Sequence, residues 1–176
     1  IDGAMGEGGG QIVRTALGLS LATQQPFRIT NIRAHRSTPG LRPQHVAAVR
    51  AAVAVGEAEV DDVEVGTSAF TFGPTTVAPG RYQFDVGTAG SAVLVLQTVL
   101  PPLLTARAPS TITVTGGTHV KWAPPFDFFA ASFCPLVQRM GPTLRPSLDR
   151  PGFYPKGGGQ CSLTVEPVAD LAPLDL

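Results

Sequence analysis

Between residues 11 and 23 apolar side chains fall at Ile12, Ala16, Leu19 and Ala22, and again at Leu17 and Leu21. That three-to-four spacing predicts a helix with wide apolar coverage, and Gly10 and Thr23 stand where its ends suit them. A second helix is predicted over 43–55, with Val46, Val49 and Val53 on one face and Pro43 in the first turn, where a missing N–H is harmless. Residues 91–100 are almost wholly apolar and predict a buried helix stopped by Pro101 and Pro102. A fourth helix is expected over 126–140, kinked or split by Pro135. Alternating or β-branched stretches at 27–32, 60–65, 69–72, 80–86, 111–115, 143–148 and 160–165 predict strands.

This order of elements occurs twice. Each copy opens on a glycine-rich turn, enters an apolar segment carrying one long polar residue (Arg14 or Gln97), and continues into a β-branched run. A proline-containing loop and a second amphipathic segment follow, ending on Gly56 or Gly141. The expected fold class is α/β (α+β): two tandem helix–sheet units, 1–86 and 87–176, forming a layered α/β sandwich.

Composition narrows the class of protein. With 43% hydrophobic and 15% charged residues the chain reads as a folded globule. Its 13 basic and 13 acidic residues cancel, so any nucleic acid or nucleotide must be held by a local cluster of arginines. Two isolated cysteines, Cys134 and Cys161, supply neither a disulfide framework nor a zinc site and fit a reduced, cytoplasmic setting. No apolar run reaches the ~18 residues of a membrane-spanning helix, so no membrane partner is expected. The start at Ile1 and the end at LAPLDL suggest a partial product.

Four stretches carry candidate chemistry. GEGGGQ, residues 6–11, is either a backbone cradle for an anion at a helix start or a tight turn where packing forbids side chains. Glu7 within it suits a divalent-metal bridge to a triphosphate, or is a favourable charge near a helix start. RAHRSTPGLRPQH, residues 33–45, sets Arg33, Arg36 and Arg42 within ten residues, followed by Gln44 and His45. Guanidinium forks suit phosphate, and the bland alternative is a solvated basic loop. His35, His45 and His119 lack metal-ligand spacing and read as incidental. HVKWAPPFDFF, residues 119–129, offers Trp122, Pro124, Pro125, Phe126 and Phe128 as a rigid apolar surface for a flat base, or as a helix staple with Asp127 in the first turn. GFYPKGGGQ, residues 152–160, repeats a triple glycine before a strand.

Taken in order, GEGGGQIVRTAL, RAHRSTPGLRPQH, GTAGSAVLVLQTVLP, GGT followed by WAPPFDF, and GFYPKGGG resemble the RNA 3′-terminal phosphate cyclases over essentially the whole chain. The resemblance implies an ATP-dependent, ligase-type reaction. The enzyme is adenylylated on a histidine, AMP passes to an RNA 3′-phosphate, and the vicinal 2′-hydroxyl closes a 2′,3′-cyclic phosphate. Carried over residue by residue, Glu7 implies a ligand for magnesium or manganese beside the ATP phosphates. Gln11 and Arg14 imply phosphate positioning, Gln97 a nucleotide contact, and Pro124 packing on adenine. Arg33, Arg36 and Gln44 resemble residues that hold the RNA terminal phosphate. The family's nucleophilic histidine lies downstream in a segment absent from this chain, and Pro151 stands where relatives carry histidine before GFYPKGGG. The resemblance thus covers the first part of a cyclase, inactive alone, whose partners would be ATP, 3′-phosphorylated RNA and the missing C-terminal portion. An incomplete sandwich also implies self-association through exposed apolar surface. The rival readings are a non-catalytic relative binding RNA in ribosome assembly and an enolpyruvyl-transferase-like enzyme.

Overall fold

The computed structural model describes residues 1–174. Its first elements are α1 (Gly10–Thr23), β1 (Phe27–Ile29), α2 (Pro43–Gly56), β2 (Glu59–Val60) and β3 (Phe70–Gly73). They are followed by β4 (Arg81–Asp85), α3 (Ala92–Leu103) and β5 (Ser110–Gly116). Next come α4 (Phe126–Phe128), a π-helical turn over Phe129–Phe133, α5 (Cys134–Gln138), β6 (Thr143–Arg150) and β7 (Gly159–Glu166). The chain is an α/β fold, and among the described residues no helix is long and apolar enough to cross a membrane.

Three strands form an antiparallel sheet in the order β1-β3-β2. A parallel bridge from Asp2 to Thr30 lengthens it beyond β1. Four strands form a mixed sheet in the order β4-β5-β7-β6, in which β4 runs parallel to β5 and the other pairs are antiparallel. Because β4 pairs with β5, the sheets divide the chain between β3 and β4, slightly before residue 87. Each sheet buries one face. Ile112 and Val114 of β5 and Cys161, Leu163 and Val165 of β7 point inward, as do Phe70 and Phe72 of β3. The opposite face of the mixed sheet is polar, with Thr111 and Thr164 hydroxyls 3.3 Å apart. α3 packs on α1, α2, β5 and β7, while α1 packs on α2 and β1. One continuous apolar core results.

Four local departures from the sequence pattern have physical causes. The extended run from Phe27 ends at Ile29 because Asn31 and Arg33 take left-handed φ values of 53° and 54°. Of the expected strand 60–65 only Val60 is extended and paired. The Asp61 carboxylate accepts the Thr71 N–H at 2.6 Å and ends the ladder. α3 does not stop at Pro101 and Pro102 but runs through both to Leu103. Its last turn closes through bonds from the Leu104 N–H to the Leu100 and Pro101 carbonyls. Gly56 lies inside α2, and the left-handed residue that ends the helix is Glu57, φ 42°. A Cβ at Gly56 would sit 2.3 Å from Leu21 Cδ2, so this glycine permits helix contact rather than a turn.

The expected break near Pro135 takes the form of the π-helical turn. The Cys134 N–H reaches back to the Phe129 carbonyl, a wider loop placed just before a residue with no N–H of its own. Phe129 and Phe133 stack at 5.5 Å across that turn.

Candidate functional site: an arginine cleft at the start of α1

α1 begins without a capping side chain. Its N-cap is Gly9, and Gly6 and Gly8, both at φ 56°, fold the preceding loop back on itself. Helix starts leave N–H groups without intrahelical partners and carry partial positive charge. This end of α1 opens on a cleft of about 570 Å³, whose walls include Glu7, Gln11, Arg14, Arg33, Arg36, Arg42, Gln44, His45 and Trp122. A groove of about 300 Å³ between α1 and α3 adjoins it, sharing Gln11, Arg14 and Leu94 and adding Gln97 and Thr98.

Each arginine reaches the cleft differently. Arg14 projects from the second turn of α1, and burial pulls its guanidinium down from the usual pKa. Arg33, held in the left-handed region, donates from Nη1 to the Thr38 and Gly40 carbonyls at 2.6 and 2.9 Å. Those two bonds tie up two of five N–H donors and fix the loop that carries Arg36. Burial, then Arg42 and Arg36, lowers the Arg33 pKa from its usual value. Arg36 Nη2 lies 3.4 Å from Glu7 Oε2, an exposed pair that holds the two loops loosely.

His45 was expected to be incidental; it is 3% exposed and lines the cleft. It occupies the third position of α2, where its Nδ1 accepts the Arg42 N–H at 3.0 Å while its backbone N–H donates to the Arg42 carbonyl at 2.8 Å. Burial and then Arg14, Arg33 and Arg42 push its pKa down to about 3, so the ring is neutral. Gly10 lies against it: a Cβ there would come within 2.0 Å of His45 Nε2. Close packing that forbids a side chain, one of the two readings of GEGGGQ, therefore holds at Gly10. Gln44 beside it accepts the Ser91 N–H through Oε1 at 3.0 Å, linking the cleft to the start of α3.

Of the residues singled out in the sequence, Glu7, Gln11, Arg14, Arg33, Arg36 and Gln44 meet in the cleft. Gln97 lines the adjoining groove, and Pro124 is half-buried outside the lining of both. The aromatic stretch does not form one surface. Phe126 is buried, Phe128 is 52% exposed, and Trp122, at φ 64°, is 98% exposed at the cleft rim. His119 is bound to Asp127 at 2.8 Å and to Thr118 at 2.8 Å, and stacks on Phe153 at 5.3 Å, which ties two loops together. Arg42 was expected only as a member of the arginine cluster, and His45 as incidental; their joint role at the start of α2 was not foreseen. Their signal was the spacing of a helix cap and a third-position side chain reaching back to it.

Among the described residues no three acidic, histidine or cysteine side chains are grouped to hold a metal. Glu7 is the cleft's single carboxylate. That donor set fits a hard cation arriving with phosphate and water as its other ligands, the usual habit of magnesium.

The family described as RNA 3′-terminal phosphate cyclase matches residues 5–175. The chain is 55% identical over 176 residues to the RNA 3′-terminal phosphate cyclase of Koribacter versatilis, covering all of this chain and 50% of that protein. It is 56% identical over 169 residues to the corresponding protein of Ralstonia nicotianae, covering 96% of this chain and 49% of the relative. Against that of Salmonella typhimurium it is 49% identical over 176 residues, covering 100% and 52%. The chain spans about half the length of the curated relatives it matches. A match of this extent, on a chain whose cleft gathers four arginines around a helix start, means that the protein belongs to the RNA 3′-terminal phosphate cyclase family.

Proposed function

We propose that this chain forms the phosphate-binding side of an ATP-dependent RNA 3′-terminal phosphate cyclase. The observation that carries the reading is the cleft's charge: Arg14, Arg33, Arg36 and Arg42 face a single carboxylate, Glu7, beside an uncapped helix start. Such a site favours a polyanion and, through Glu7, a cation that accompanies it. ATP phosphates and an RNA 3′-phosphate both meet that requirement.

In the reaction implied by the family, AMP transfer to a histidine releases pyrophosphate. Transfer to the RNA 3′-phosphate then gives a mixed anhydride, and attack of the 2′-hydroxyl expels AMP as the cyclic ester forms. Arg14 and Gln11 hold phosphate at the start of α1. Arg33, Arg36 and Gln44 hold the RNA terminal phosphate, Gln97 contacts the nucleotide along the α1–α3 groove, and Pro124 packs near its base. A magnesium or manganese ion on Glu7 would neutralise phosphate charge.

The nucleophilic histidine belongs, in this reading, to sequence outside these 176 residues. His45 is buried and neutral, His119 is bound to Asp127, and His35 is exposed on the basic loop. The chain is further read as two tandem units. The support is that each sheet runs outward from a parallel neighbour, followed by the last strand and then the next-to-last.

The sole tryptophan of the sequence, Trp122, gives a direct test. Titration with a short RNA ending in a 3′-phosphate is expected to quench its fluorescence at least tenfold more tightly than the same RNA ending in a 3′-hydroxyl. Equal affinities would overturn the assignment. Incubation with labelled ATP and magnesium is expected to leave no label on the chain.

A further inference from the structure

Two nitrogen atoms in the cleft stand in a relation that the protein alone does not satisfy. The Nε2 atoms of Gln44 and His45 lie 3.5 Å apart. Which of them carry hydrogen follows from their other partners. A backbone N–H only donates, so the Gln44 atom facing the Ser91 N–H at 3.0 Å is its oxygen, and the amide nitrogen is turned toward His45. By the same logic the His45 Nδ1, facing the Arg42 N–H at 3.0 Å, is an acceptor. A neutral imidazole with an accepting Nδ1 carries its proton on Nε2. The two Nε2 atoms are therefore both donors and cannot bond each other.

His45 is 3% exposed and lines the cleft beside Gln44. Since the Gln44 amide nitrogen is itself a donor, the acceptor for the His45 N–H has to come from the cleft. The Gly10 backbone packs directly against the ring, and any Cβ there would collide with Nε2, so the first turn of α1 is held next to this nitrogen. Burial beside Arg14, Arg33 and Arg42 keeps the imidazole neutral, so it serves as an uncharged donor among cations. A buried donor left without an acceptor is costly, and two adjacent donors at the start of a helix converge on whatever oxygen enters.

We propose that His45 is a phosphate-binding residue, donating from Nε2 to the same phosphate oxygen as the Gln44 amide, in the cleft formed by the start of α1 and the arginines. Arg42 and Ser91 act as positioning residues, through backbone N–H groups that set the tautomer and the amide orientation. The inference rests on the phosphate-binding reading of the cleft and deepens it by naming the atoms of the grip.

The test uses the full 176-residue chain with inorganic pyrophosphate as probe. Two-bond proton–nitrogen spectra of the ¹⁵N-labelled chain are expected to show His45 as the Nε2–H tautomer from pH 5 to pH 8, with the Nε2 proton shifting when pyrophosphate is added. An Nδ1–H tautomer, a charged ring, or an unmoved Nε2 proton in a chain that binds pyrophosphate would overturn the proposal. Calorimetric titration gives the second arm. H45F removes the donor and is expected to weaken pyrophosphate binding about tenfold, whereas H45Q, which restores an amide N–H at that reach, stays within about threefold of the parent. H45F loses the Arg42 contact, whereas a third-position glutamine can keep it through Oε1, so a structural role alone predicts that affinity follows melting temperature. A tenfold loss in H45F that is still fully folded at the titration temperature assigns the loss to the missing donor. Equal binding by H45F and the parent refutes the His45 contact while leaving the cleft reading intact; no pyrophosphate binding by the parent refutes both.

Discussion

His45 shows how the burial of one ring ties the stability of the chain to pH. Its pKa is about 3 in the folded chain, against the ~6.5 of an unhindered imidazole. Between those values the unfolded chain binds the extra proton and the folded chain does not, so stability rises with pH across this window. The contribution is present in full above about pH 6.5 and is lost as pH falls toward 3, on the order of a few kcal/mol in total. Urea titrations from pH 7 to pH 4 are expected to show this loss, and H45F is expected to flatten the slope. Burial of the ring first, and then Arg14, Arg33 and Arg42 around it, set the sign: proton uptake there would bury a charge and add a fourth cation. The sequence showed the arginine and histidine types but not this arrangement, because nothing in RPQH states which nitrogen meets which N–H.

Among the elements, α3 is the one that joins the mixed sheet to α1, α2 and the cleft. It is buried along most of its length and is capped by Ser91, whose hydroxyl accepts the Leu94 N–H at 3.2 Å. Ser91→Ala is expected to cost about 1 kcal/mol of stability by chemical denaturation. Phosphate affinity should be unchanged, since the Ser91 backbone N–H that holds Gln44 remains. Periodicity revealed α1, α2 and α3 because each presents a long apolar pattern. It misplaced the end of α3 because the buried helix continues through Pro101 and Pro102 despite the two N–H donors they lack. The Leu104 N–H closes the last turn on the Leu100 and Pro101 carbonyls, which periodicity does not reveal. It overran β2 for a different reason: Asp61 fits an extended backbone, and only the carboxylate bond to Thr71 shows that the ladder ends there.

At the scale of the whole chain the two sheets share one core, into which both cysteines are sunk. Burial pushes the Cys134 thiol up to about 11, and burial with Asp149 pushes Cys161 up to about 12. Alkylation at pH 8 is therefore expected to proceed only through unfolding, with both thiols modified together. Modification of one thiol at a rate independent of denaturant would show that α5, which carries Cys134, opens from the mixed sheet that carries Cys161 without global unfolding. The α/β class and most of the cleft were legible in the sequence, because glycine runs and clustered arginines are local features. The course of the second sheet was not: β4 joins β5 across the whole of α3, a pairing fixed by packing rather than by neighbouring residues.

Gln44 joins these scales. Its oxygen is held by Ser91 at the start of α3, and its nitrogen faces the cleft at the start of α1. Occupancy of the cleft and closure of the joint between the two helix starts are thereby thermodynamically linked, and such coupling is reciprocal. A ligand that pulls on the amide nitrogen also steadies the seam between two parts of the chain far apart in sequence. Looseness at that seam, from whatever distant cause, reappears as a lower affinity for the ligand.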